Sequence, residues 1–174
     1  MDSPSQSSAI GHGVLLVIFN LGVLLTGESG IGKSSLALEL IRRGHHLIAD
    51  DTPIFHREGS TKLIGSCPYI LQDFLAVPGL GVINIRAIYG DQAIIDHHPL
   101  DFVIRLIPNK YIEPLTRSLG QWEQLGIKMT ELTLPLAGNI PQATMIETAV
   151  QDYQLRLKNY DALLELQKRQ NKSI

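Results

Sequence analysis

The residues with the clearest chemistry are Gly27-Glu28-Ser29-Gly30-Ile31-Gly32-Lys33-Ser34. They fit the P-loop pattern of a glycine, four further residues, then Gly-Lys and a Ser or Thr. The glycines let the backbone curl so that successive N–H groups converge on phosphate oxygens. A helix starting after the loop adds the partial positive charge of its N-terminus. Lys33 supplies a mobile point charge for the β- and γ-phosphates, and the Ser34 hydroxyl is a hard oxygen ligand of the kind Mg²⁺ prefers. The pattern predicts binding of phosphate groups, those of a nucleoside triphosphate carried with Mg²⁺. Sixteen residues after Ser34 come Asp50 and Asp51. Two adjacent carboxylates at a strand end can divide the work of phosphoryl transfer: one holds Mg²⁺, the other takes a proton from an attacking hydroxyl.

Several other polar residues need no such role. Asp96-His97-His98-Pro99 reads as a turn; in an extended segment the two histidines would point to opposite sides, which speaks against a metal site. His45 and His46 sit where a helix should end, and a cationic imidazole is favoured there. Cys67 is read as a buried, inert thiol.

The elements that must position the loop are legible around it. Val14–Phe19 and Val23–Thr26 are apolar runs about Asn20-Leu21-Gly22, the pattern of a strand, a tight turn and a second strand leading into Gly27. After Ser34, Leu36, Ala37, Leu40 and Ile41 recur on one helical face, and Gly44 is a natural stop. Leu47-Ile48-Ala49 is then a short buried strand ending in the acidic pair. Thr52 to Leu63 reads as a polar hairpin, Gly79-Leu80-Gly81 as a loop before Val82–Ile85, and Phe102–Ile107 and Leu132–Leu134 as strands. From Gln142 to Arg169 the spacing of Ile146, Val150, Tyr153, Leu157 and Leu164 predicts one long amphipathic helix. The fold class expected is α/β with a mixed sheet, because the early hairpin requires antiparallel pairing.

The chain has 174 residues, enough for one domain: residues 1–9 are expected to be a disordered segment and 10–174 the folded unit. A net charge of −2 gives no electrostatic reason to expect nucleic acid. The Lys168 and Arg169 region is read as a solvated helix end. With one cysteine no intrachain disulfide forms, which fits a reducing compartment. Met1–Ser8 lacks the features of a signal peptide, and the apolar stretch Val14–Leu25 is too short to span a bilayer. A cytoplasmic protein with no membrane association is expected.

Together, Gly27–Ser34, Arg42-Arg43-Gly44-His45, Leu47–Asp51, His12-Gly13-Val14, and Gly79–Ile85 with Tyr89-Gly90 resemble the catalytic domain of bacterial HPr kinase/phosphorylase over most of the chain from Gly11 to about Leu157. The resemblance implies an enzyme that phosphorylates a serine of the phosphocarrier HPr with ATP or pyrophosphate. It also implies removal of that phosphate by inorganic phosphate, yielding pyrophosphate. It implies hexamers, an additional N-terminal domain in most members, and a core distantly similar to that of phosphoenolpyruvate carboxykinase. Lys33 and the loop amides would stabilise the transferring phosphoryl group, and Ser34 and Asp50 would serve the metal. Asp51 would act as base, the swapped assignment of the two aspartates staying open. His12 would sit beside the acidic pair, and Arg117 would stabilise phosphoryl charge.

The chain departs from the family pattern at three places. Ala76 and Pro78 stand where a Glu and an Arg are usual, Ser35 stands where Glu is frequent, and Leu136-Ala137-Gly138-Asn139-Ile140-Pro141 lacks the usual arginines. Two other functions therefore stay open: a diverged nucleotide- or phosphate-binding regulator that transfers nothing, and a P-loop kinase with another acceptor.

Overall fold

In the computed structural model, which describes residues 8–136 and 139–172, the central strands are β2 (Val14–Ile18) and β3 (Leu21–Thr26). A third strand, β1 (Ser8–Ile10), precedes them and pairs antiparallel with β5 (Ile54–Glu58), so Ser8 and Ala9 lie in a strand. Residues 1–7 lie outside the described residues. The β2–β3 hairpin turns on Phe19 and Asn20, both with positive φ, as a two-residue turn between right-twisted strands requires. The expected turn at Asn20-Leu21-Gly22 is thus shifted, and Leu21 and Gly22 belong to β3.

Both strands are buried on both faces, which explains their unbroken apolar sequences. Val14, Leu16, Ile18, Val23 and Leu25 face one core, while Leu15, Val17 and Leu24 face a second. The first core is roofed by α1 (Lys33–Arg42), through Leu36, Ala37, Leu40 and Ile41, and by a later helix, α3 (Gln142–Leu157), through Ala143, Ile146 and Val150. Gly44, at φ 99°, ends the α1 segment as expected. His45 then packs under α3, its Nε2 2.7 Å from Glu147 Oε1, while Arg43 reaches the same carboxylate at 2.9 Å. This buried pairing places His45 more firmly than the helix dipole alone would. β4 (His46–Ala49) follows and pairs antiparallel with β2.

The excursion after Asp51 is the expected hairpin, β5 with β6 (Lys62–Ser66). β7 (Phe74–Val77) and β8 (Gly81–Asn84) form a separate two-stranded sheet, followed by the short α2 (Ile85–Tyr89). The next strand differs from expectation. β9 runs without interruption over His97–Ile107, so His97-His98-Pro99 is strand and not turn, held there by antiparallel pairing with β6. One edge of β9 lies parallel to β3; the other pairs first with β6 and then, in parallel, with β11 (Ile127–Pro135). β10 (Leu119–Gln124), which the sequence reading did not anticipate, pairs with β11 through a two-residue turn at Leu125 and Gly126, both at positive φ. The main sheet is therefore mixed and curls as it branches at β9.

The helix expected over residues 142–169 is two helices. α3 stops at Leu157, and α4 (Ala162–Lys172) begins after a turn in which Asn159 takes a φ of 63°. Asp161 accepts from the amides of Leu163 and Leu164 and so caps α4. Asn followed two residues later by Asp is the local signal for this break.

Candidate active site

The loop at 27–32 sits where β3 and β9 end side by side. Gly27 has a φ of 142°, and a Cβ there would lie 2.6 Å from the Leu106 carbonyl oxygen of β9, so no larger residue fits. Gly32, at φ 107°, starts α1 without any side-chain cap, leaving the first amides of the helix uncapped by a side chain. Lys33 folds back over the loop, its Nζ donating to the carbonyls of Gly27 and Glu28 at 2.9 Å each. An incoming anion can replace these two neutral acceptors.

Asp50 and Asp51 arrive from β4 on the far side of β2. Ser34 Oγ donates to Asp50 Oδ1 at 3.1 Å, and the amide of Ala76, on β7, donates to Asp50 Oδ2 at 2.9 Å. Burial raises the pKa of Asp50, and the charge of Asp51 adds to the rise; the Ala76 and Ser34 hydrogen bonds and Lys33 offset it in part. Asp51 is exposed and takes a left-handed φ of 64°. Its carbonyl accepts from the amide of Gly13 at 3.0 Å, and Pro53 O accepts from Gly11 N at 2.7 Å. These two main-chain bonds fix the backbone on either side of His12 beside Asp51 and Pro53.

One cleft of about 810 Å³ gathers His12, Gly27, Glu28, Ser29, Gly30, Gly32, Lys33, Ser34, Asp50 and Asp51. That volume suits a drug-sized ligand such as a nucleotide rather than a lone phosphate. Two of the sequence candidates, Ile31 and Arg117, do not line the cleft. Ile31 packs against the core beneath the loop. Arg117 is not among the cleft-lining residues; its Nη1 donates to Asp161 Oδ2 at 2.8 Å and its Nη2 to Asp152 Oδ1 at 3.3 Å, tying the segment before β10 to α3 and α4. Among the described residues no group of three or more His, Cys, Asp or Glu side chains could hold a metal by itself. The hydroxyl and carboxylate of Ser34 and Asp50 are instead a partial, hard-oxygen donor set of the kind that Mg²⁺ completes with substrate phosphates and water.

The opposite wall was not foreseen. It is built by Arg105, Ile107, Pro108, Trp122, Gln124 and Glu131. Arg105 had a signal, being the one charge inside the apolar run Phe102–Ile107; Trp122 and Gln124 had none, because β10 itself went unread. Ala76 and Pro78, which stand where the resemblance implies a Glu and an Arg, both line the cleft. Ala76 contributes its amide to Asp50 and no carboxylate. Of the late segment 136–141, Ala137 and Gly138 lie outside the described residues. Cys67 is half-buried and its thiol is pushed up to about 11, first by burial and then by Asp73 and Asp50, which fits the inert reading.

Comparison with known proteins gives one consistent result. The HPr Serine kinase C-terminal domain family matches residues 5–170. An HPr kinase/phosphorylase of Neisseria meningitidis serogroup C is 42% identical over 168 residues, covering 94% of this chain and 52% of that protein. One from Chromobacterium violaceum is 40% identical over 163 residues, covering 91% and 51%. The chain thus spans about half the length of these curated relatives. The solved structure of the Hpr(Ser) kinase/phosphatase from Coxiella burnetii superposes with a TM-score of 0.79 at 33% identity, covering 86% of this chain and 99% of that one. The mixed α/β fold, the sequence match along nearly the whole chain and the structural likeness agree: the chain belongs to the HPr serine kinase C-terminal domain family.

Proposed function

We propose that this domain is a P-loop kinase that transfers a phosphoryl group from ATP or pyrophosphate to a serine of HPr, and that it runs the reverse phosphorolysis with inorganic phosphate. Its core would be akin to the nucleotide-binding core of phosphoenolpyruvate carboxykinase. The observation that carries this reading is the convergence, in one cleft, of the loop at Gly27–Ser34 with Asp50, Asp51 and His12. Loop amides and Lys33 would hold the donor phosphates. Mg²⁺, held through Ser34 and Asp50, would supply charge neutralisation. Asp51 would take the proton of the acceptor hydroxyl, and return it in the reverse direction. His12, fixed by the main-chain bonds at Gly11 and Gly13, would tune that proton transfer. Arg117 would join the phosphoryl group only by exchanging Asp161 and Asp152 for it.

Further elements of the proposal concern assembly and location. Tyr69, Ile70, Phe74, Leu80, Val82 and Ile88 are exposed along the segment from just before β7 to α2, which supports a homo-oligomer, a hexamer by resemblance. No helix among the described residues is long and apolar enough to cross a membrane; a cytoplasmic site of action is part of the proposal.

Ala76 and Pro78 in the cleft favour a second reading, a regulator that binds nucleotide or phosphate without transfer. The test is to mix the protein with HPr, ATP and Mg²⁺ and look for phosphoserine, then to add inorganic phosphate and look for pyrophosphate. Turnover that is lost in Lys33→Ala and Asp51→Asn supports the kinase. ATP binding with no turnover supports the regulator. Turnover only on another protein moves the acceptor, and absence of any phosphate binding sinks both readings.

A further inference from the structure

The cleft is lined by four carboxylates, Glu28, Asp50, Asp51 and Glu131, against two permanent cations, Lys33 and Arg105. Lys33 is accounted for by the loop. Arg105 is not: its guanidinium has no hydrogen bond, ion pair or aromatic contact with any described residue, although it shares the cleft with those carboxylates. An exposed arginine without a partner is common on a surface, but this one is placed by the sheet. Its neighbours Ile104 and Leu106 are buried in the helix-side core, so alternation sends Arg105 to the other face. In register it lies beside Thr26, the last residue before the loop. Strand spacing therefore brings its Cα to within about 5 Å of that of Thr26. Asp50 and Asp51 flank the loop on the other side, beyond β2. The order across this end of the sheet is carboxylates, loop, guanidinium.

We infer that Arg105 binds the non-transferred phosphate of the donor, the group that leaves. The inference rests on the kinase reading above. In an in-line displacement the attacking and leaving oxygens lie on opposite sides of the transferring phosphorus. With Asp51 as base, the acceptor hydroxyl enters from the carboxylate flank, and the leaving oxygen points to the flank of Arg105. The serine oxygen forms its bond to phosphorus as its proton passes to Asp51. The bond from phosphorus to the bridging oxygen breaks, and the electron pair stays on the leaving phosphate, either the β-phosphate of ADP or free orthophosphate when pyrophosphate is the donor. A guanidinium meets that added charge with two donors in a fixed fork. Arg105 would thereby supply, from β9, a cation on the cleft wall, in a chain where Pro78 supplies none.

The experiment measures binding of pyrophosphate and of orthophosphate, each with Mg²⁺, to the wild-type chain, Arg105→Ala and Arg105→Lys by calorimetry. Arg105 is exposed, so the variants should keep the wild-type melting temperature. Arg105→Ala is expected to weaken pyrophosphate binding about 10–100-fold, the range for losing a charge-assisted hydrogen bond, and to weaken orthophosphate clearly less, because a single phosphate can also occupy the loop, away from Arg105. Arg105→Lys should fall between, since it keeps the charge and loses the fork. Wild-type-like pyrophosphate binding by Arg105→Ala, or an equal loss for both anions, overturns this inference and leaves the kinase reading standing. A wild-type chain that binds neither anion overturns both.

Discussion

Replacing Asp50 by Asn and by Ala separates the structural from the chemical work of this residue. The Asp50 carboxylate accepts from Ser34 Oγ at 3.1 Å and from the Ala76 amide at 2.9 Å. Asn preserves the shape: its oxygen can keep the Ala76 amide, and its NH₂ can donate to Ser34 Oγ. Asn also removes a charge that burial and Asp51 disfavour. Asp50→Asn should therefore be as stable as the wild type or more so, with a melting temperature higher by up to about 4 °C, equivalent to about 1 kcal/mol for a domain of this size. Asp50→Ala leaves the Ala76 amide without an acceptor, at a cost of about 1–3 kcal/mol, or roughly 2–12 °C. Function should behave differently, since both variants lack the anion that would hold Mg²⁺. Phosphoserine formation should fall about 10²-fold or more in each.

The pH dependence has a definite sign. A carboxyl whose folded pKa is raised binds its proton more tightly folded than unfolded, so its penalty is full above the folded value. That penalty fades as pH falls toward the unfolded value of about 3.9. The stability advantage of Asp50→Asn over wild type should shrink across that window. Differential scanning calorimetry against pH, run beside a phosphoserine assay, tests all of this. An Asp50→Asn protein as unstable as Asp50→Ala, or one that retains wild-type turnover, would refute the reasoning.

Three further outcomes are expected. Gly22→Ala would place a Cβ 1.9 Å from the Pro99 carbonyl oxygen, forcing β3 and β9 apart, so chemical denaturation should show a loss of about 3 kcal/mol or more; a change below about 0.5 kcal/mol contradicts the packing. Asp161→Ala removes the cap of α4 and one partner of Arg117, so amide exchange should quicken over residues 162–172 while phosphate binding in the cleft holds. Burial opposes ionisation of Asp161, but the Leu164 and Leu163 amides and Arg117 outweigh it and hold its carboxyl below the usual range. Its contribution is therefore full above about pH 4, is lost as pH falls through the depressed value, and should vanish from the pH profile of the variant. Ala76→Glu combined with Pro78→Arg introduces at two cleft positions the residue types that the resemblance implies, and under the proposed function phosphorolysis of phosphoserine-HPr should rise about 10²-fold; unchanged turnover with intact Mg–ATP binding argues against electrostatic loss at these sites.

What could be read from the chain alone was local. The hairpin, the glycine loop, α1 and β4 follow one another within Val14–Ala49, and each is specified by neighbours a few residues away: an apolar run, a glycine, a helical stripe. Those signals placed Lys33, Ser34, Asp50 and Asp51 in one compact unit, and the structure keeps them so. At one place where the reading failed, a distant partner decided. His97-His98-Pro99 carries turn-forming residues, yet pairing with β6 holds it extended. The break at Asn159 and Asp161 was written locally but masked by an apolar spacing that continues through it. The site has the same division. The P-loop pattern and the acidic pair are sequence facts, whereas the Ala76 amide reaches Asp50 from 26 residues away. Arg117 is drawn to Asp152 and Asp161 by elements 35 and 44 residues further on. Arg105 stands beside the loop only because β9 lies parallel to β3. Residue types and short spacings determine which groups can bind phosphate or move a proton; which strand edges meet is settled by burial of both faces of the sheet, a property no short stretch of sequence contains.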